Sequence, residues 1–208
     1  MEFPVYLFAA ILAFLTCAAA DGSEPIVRVE EDWKVEVNVP NPDDHAPQIV
    51  NSISPNGSLD GLHAVFELNH STLPDYTAGG MQLQTWVGET NLEYKNSPGS
   101  GLLHHDDETV TYTLSMSVNG GSLTFEVVNG HSDTWGKFGG LGYLKSSVST
   151  DLSNLNSYDS NTSVNKSRVG YASHRVKKFA RTKVRLYSAD GLVSTDETER
   201  VVHVHDSQ

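Results

Sequence analysis

The chain has 208 residues, with 14 Lys and Arg against 26 Asp and Glu, and a formal net charge of −12. That surplus of negative charge argues against a general binder of nucleic acid or anionic membranes, since both ligands call for a basic surface. The single cysteine, Cys17, lies in the N-terminal segment, so the rest of the chain has no disulfide and must be held by its core.

Residues 5–16 are almost wholly apolar and lead into Cys17-Ala18-Ala19-Ala20. This pattern predicts a signal peptide over residues 1–20, cleaved after Ala20, although the segment before the apolar run has no Lys or Arg. The run is too short to favour a membrane anchor. Lipidation of Cys17 is the alternative, with Phe14-Leu15-Thr16 a poor match to the residues that precede a lipidated cysteine. The expected product is one exported domain, residues 21–208, secreted, periplasmic or on the cell surface.

Residues 25–40 read as an opening strand region, with Val35, Val37 and Val39 alternating with polar residues. Glu30-Glu31-Asp32 suggests a bend or break in it. Three prolines between residues 40 and 47 mark a loop. Strands are expected at 48–54, 62–68 and 81–87, and a short one from Leu92. The clearest signal is residues 110–128. Val110, Tyr112, Leu114, Met116 and Val118 alternate with small polar residues. After Asn119-Gly120-Gly121 the alternation resumes at Leu123, Phe125 and Val127. This is a hairpin with one buried face. A three-residue loop would mix the faces. Two-residue loops, at Asn119-Gly120 or at Gly120-Gly121, keep them apart and place Met116 opposite Leu123 or Phe125 respectively.

Residues 129–142 read as a glycine-rich loop, and 146–167 as a polar stretch with one helical turn near 151–155 capped by Asp151. Further strands are expected at 169–172, 183–187 and 201–204. There is no long amphipathic helix and no repeat. The expectation is an all-β, antiparallel two-sheet β-sandwich of jelly-roll type, with about ten strands and little helix.

The size, and the stretch Val169-Gly170-Tyr171-Ala172 followed by Lys183-Val184-Arg185-Leu186-Tyr187-Ser188, resemble the concanavalin A-like jelly-roll superfamily. The second stretch is similar to the closing strands of its laminin G-like members. The resemblance implies a jelly-roll fold and no particular activity.

Four groups of residues offer chemistry. In a regular strand Glu89, Asn91 and Glu93 would share one face. The spacing resembles the E-x-D-x-E signature of jelly-roll β-glucanases, with Asn91 in place of the central Asp. That resemblance implies Glu89 as nucleophile and Glu93 as acid/base, about 5–5.5 Å apart. His104, His105, Asp106, Asp107 and Glu108 concentrate donors for Ca²⁺ or a transition metal, the alternative being a solvated acidic turn. His203 and His205 are a candidate metal pair on one strand face. Asn129, Asp133 and Trp135, with Trp86, mix amide, carboxylate and indole as a lectin-like site does, the alternative being tryptophans that cover core. The basic segment 175–185 is a patch for an anionic polymer, a charge-guarded edge strand, or a partner for Glu30-Glu31-Asp32.

No Gly-x-Ser-x-Gly, P-loop, dinucleotide fingerprint or His-Glu-x-x-His is present, and nothing points to a nucleotide cofactor. The leading expectation is a non-enzymatic module binding carbohydrate or a cell-surface polymer. The alternatives are a structural or adhesive envelope protein, and a glycoside hydrolase using Glu89 and Glu93. The two margins of the central hairpin, 104–108 and 129–135, are expected to lie at the same end, opposite the turn.

Overall fold

The computed structural model describes residues 24–38, 46–69, 80–98, 101, 103, 105 and 107–205. Among them run β1 (Arg28–Val37), β2 (Ile49–Ile53), β3 (Leu62–Leu68), β4 (Met81–Val87), β5 (Thr90–Asn96), β6 (Thr109–Asn119) and β7 (Ser122–Ser132). There follow β8 (Gly136–Phe138), β9 (Lys145–Ser149), helix α1 (Ser160–Lys166) and β10 (Arg168–Val169). A 3-10 turn (Ser173–Arg175) leads into β11 (Val176–Ser188), β12 (Gly191–Asp196) and β13 (Arg200–Val204).

These strands form an all-β, two-sheet antiparallel sandwich. An eight-stranded sheet runs β12-β11-β1-β6-β7-β8, with β13 also on β11 and β9 also on β7; a five-stranded sheet runs β10-β2-β3-β4-β5. The inner faces meet in one core that holds Trp33, Phe66, Tyr112, Leu114, Phe125 and Phe179. Phe66 of one sheet meets Tyr112 of the other edge-on at 5.0 Å, the arrangement in which a positive ring edge faces a negative ring face.

The central hairpin is β6–β7. Met116 faces Phe125, Val118 faces Leu123 and Asn119 faces Ser122. The loop is therefore Gly120-Gly121, with φ of +55° and +77°. Side chains pay a steric penalty in this left-handed region, which is why two glycines set the register.

Several expectations give way. β1 is not broken at Glu30-Glu31-Asp32: it alternates along all ten residues, with Val29, Glu31, Trp33, Val35 and Val37 inward. Residues 129–142 are not all loop, because β7 continues to Ser132 and turns into β8. No helix forms at 151–155, where Leu155 is instead a core residue outside any helix or strand. The helix starts after Asp159, whose carboxylate accepts the Asn161 N–H at 2.9 Å. Residues 183–187 belong to the thirteen-residue β11, and β12 is an additional strand.

Edge strands carry irregularities. Leu92 is an extra residue in β5, because Thr85 pairs with Glu93 and Trp86 with Asn91. Val193 in β12 and Val202 in β13 are likewise extra against β11. Each extra residue turns the side chains beyond it to the other face. Leu92, Leu192, Val193 and Val204 are exposed.

Candidate functional site

The bulge at Leu92 decides the fate of Glu89, Asn91 and Glu93. Cross-strand partners project from the same face. Asn91 lies opposite Trp86, and Glu93 opposite Thr85. Thr85 points inward, bonded to Ser146 of the other sheet at 2.6 Å, so Trp86 and Asn91 point outward. The three residues thus do not share a face. Glu89 sits in the exposed β4–β5 turn. Glu93 accepts a hydrogen bond from Ser146 and pairs with Lys95 at 2.9 Å. The Ser146 hydroxyl, and then Lys95, hold its carboxyl below the usual carboxylate range.

The hairpin margins do meet. Glu108 is fully buried, and its carboxylate accepts the backbone N–H of Thr134 at 2.7 Å and the Thr134 hydroxyl at 2.6 Å. His104 and Asp106 lie outside the described residues. Asp107 forms an ion pair with Lys177. His203 Nε2 contacts the Ser173 carbonyl at 3.0 Å, while the His205 ring packs edge-on to His174 with centroids 6.3 Å apart. Among the described residues no group of three or more His, Cys, Asp or Glu is placed to hold a metal ion, and no helix is long and apolar enough to cross a membrane.

The four residues expected to make a lectin-like site are dispersed. Trp135 covers core: its indole N–H donates to the Gly101 carbonyl at 3.2 Å and its ring meets Phe138 edge-on. Asp133 is exposed in the β7–β8 turn. Asn129 is exposed where β7 bulges against β6, with φ of +56°. Two open grooves meet at Asn129. One, of about 400 Å³, is lined by Asp32, Lys34, Thr111, Thr113 and Arg185; the other, of about 520 Å³, by His131, Lys137, Phe138 and Gly139.

Trp86 lies on the opposite side of the molecule, on the outer face of the five-stranded sheet. Its indole N–H donates to Gln84 Oε1 at 2.9 Å. The Gln84 amide donates to Gln82 Oε1 at 2.6 Å, and the Gln82 amide to Asn96 Oδ1 at 2.7 Å. Tyr94 lies opposite Gln84 and is 61% exposed. An indole, a phenol and a relay of amides thus share one outer face. Sequence reading named Trp86 but missed Tyr94 and the relay, although the Gln82-x-Gln84-x-Trp86 alternation was the signal for them.

The basic segment 175–185 is largely absorbed by carboxylates. Arg185 holds Asp32 through two parallel hydrogen bonds at 2.6 and 2.7 Å and reaches Glu30 at 3.0 Å. These bonds, those to Asp32 foremost, raise the guanidinium pKa. Lys178 pairs with Glu199 at 2.5 Å and Lys183 with Glu197 at 2.7 Å. The segment is no edge strand either, since β11 lies between β1 and the β12–β13 pair. Inside the sandwich, Arg181 faces Glu31 at 3.5 Å with both side chains almost fully buried. Tyr158 and the Trp33 indole also donate to Glu31. Burial raises the Glu31 pKa despite the opposing pull of Tyr158 and then Arg181. The three-carboxylate run missed as a strand is therefore a ladder whose middle member turns inward to an arginine.

No protein-family model matches the chain, and no curated protein matches it.

Proposed function

We propose that this protein is an exported, non-enzymatic glycan-binding module whose platform is the outer face of the β4–β5 hairpin. The reading is supported by one observation above others: the Trp86 indole is held by a relay of amides through Gln84 and Gln82 to Asn96, with Tyr94 exposed beside it. Flat rings suit the apolar face of a pyranose, and amides suit its hydroxyls. An aromatic ring fixed before binding loses less conformational freedom when a ligand arrives. The apolar N-terminal segment, residues 1–20, supports export.

The test is retention of the mature chain on insoluble cellulose, chitin, xylan and peptidoglycan. Saturable binding to at least one is expected, with Trp86→Ala and Tyr94→Ala each lowering affinity about tenfold. Absence of binding across the panel, or binding indifferent to both substitutions, overturns the assignment. Assembly or surface retention without any glycan binding is the outcome that favours a structural envelope protein instead.

A further inference from the structure

We infer that the outer face of the eight-stranded sheet carries a second, separate cleft for a uronic-acid-bearing polysaccharide, laid across the strands from Lys34 to Lys137. The pairing register carries the argument. Lys34 lies opposite Thr111, Thr111 opposite His131, and His131 opposite Lys137. Lys34 sits between the inward Trp33 and Val35, so it points outward, and its cross-strand partners share that face. The row crosses β1, β6, β7 and β8, a span of roughly 14 Å at about 4.8 Å per strand.

The charges in this row differ from those on β11. There, lysines and arginines are taken up by carboxylates. His131 and Lys137 are exposed and their side chains have no ion-pair or hydrogen-bond partner among the described residues, while Lys34 has Glu36 at 2.5 Å. Beside the row runs a second one of acceptors and hydroxyls. Asp32 accepts from Thr113 at 2.7 Å, and the Asn129 amide reaches Thr113 at 3.4 Å. The two grooves that meet at Asn129 follow these rows. At the bulge the positive φ of Asn129 places its amide at their junction.

A lysine and an imidazole without side-chain partners among the described residues, beside an exposed amide and an exposed hydroxyl, select for a ligand with both features: isolated carboxylates for Lys137 and His131, and sugar hydroxyls for Asn129 and Thr111. Asp32 and Glu36 are already paired, with Arg185 and Lys34, so the row offers few uncommitted donors of positive charge, too few to match a densely charged phosphate backbone. The cleft does not depend on the Trp86 platform, which lies on the other sheet.

The test is affinity electrophoresis of the mature chain in gels containing polygalacturonate or neutral dextran, with and without added salt. Retardation is expected in polygalacturonate only, relieved by salt. The double substitution Lys137→Ala/His131→Ala should weaken the apparent affinity about tenfold, and Lys137→Glu more. Both residues are exposed, so circular dichroism should report an unchanged fold. Trp86→Ala should leave this retardation intact, which separates failure of this cleft from failure of the aromatic platform. Equal retardation of the double variant, equal retardation in dextran, or displacement by duplex DNA as efficient as by free polygalacturonate overturns the inference.

Discussion

Among the described residues, Thr134 alone holds the Glu108 carboxylate, with its backbone N–H at 2.7 Å on one oxygen and its hydroxyl at 2.6 Å on the other. Glu108 precedes β6, and Thr134 lies in the turn after β7, so this contact clamps the open end of the central hairpin. Replacing the carboxylate leaves two part-buried donors without their partner. Glu108→Ala should cost about 1–3 kcal/mol of stability, read as a fall in urea midpoint at unchanged slope. Thr134→Val, which keeps the N–H and removes the hydroxyl, should cost less.

Glu31 gives stability an unusual pH dependence. Its pKa in the fold is raised by burial, so as pH climbs past the ordinary carboxylate range the unfolded chain loses its proton first. This contribution is fully present below that range and is lost as pH rises through the raised value. Urea midpoints of wild type and Glu31→Gln across pH 3–9 provide the measure. The wild type should lose ground to the variant as pH rises. Arg181→Met, which strands the carboxylate, should cost about 3–5 kcal/mol at neutral pH.

Glu93 works with the opposite sign. The Ser146 hydroxyl holds its pKa down, so the stability it contributes is present above the ordinary carboxylate range and is lost as pH falls through the lowered value. Ser146→Ala should flatten the acid limb of the stability curve, measured by thermal melts in the acid range. An unaltered acid limb would show that the hydroxyl does not set this carboxylate's pKa.

Gly130 has no room for a side chain, since a Cβ there would lie 2.2 Å from the Phe138 ring across the β7–β8 pair. Gly130→Ala should destabilise by about 1–3 kcal/mol through overpacking. The Gly139 Cβ would lie 2.4 Å from the Val127 carbonyl oxygen, at φ of +77°. Backbone cannot rotate aside as a ring can, so Gly139→Ala should cost more, in the same denaturation assay.

The relay under Trp86 predicts a graded loss of function. Gln84→Leu removes the acceptor of the indole N–H and the donor to Gln82 together. Polysaccharide retention should fall, though less than with Trp86→Ala, because the ring remains but is no longer fixed. A shifted tryptophan emission would report the loosened indole, and retention equal to wild type would show that fixing it is irrelevant.

Much of this architecture was legible from alternation. β3, β4 and the β6–β7 hairpin announce themselves because apolar and polar residues alternate along each, and two glycines leave only two workable turns. The failures come from pairings that alternation does not encode, one distant in sequence and two close by. Glu31 reads as a strand breaker until Arg181, 150 positions later, is placed against it. Leu92 reads as part of a regular alternation until its pairing with β4 exposes the bulge that puts Asn91 and Glu93 on opposite faces. Trp135 reads as a loop platform until β8 brings Phe138 under it. The β12 strand carries no alternating burial at all, its six residues being exposed, so no amphipathic pattern was there to read.

For the polymer-binding function proposed above, the extra residues at Leu92, Val193 and Val202 have a consequence. Copies gathered along one scaffold meet at high local concentration, where a flat, unguarded strand would zip neighbouring molecules into fibrils. A kinked border offers no continuous template for such growth. The same irregularities that leave aliphatic side chains in water should let many copies crowd onto one surface as separate, exchangeable units.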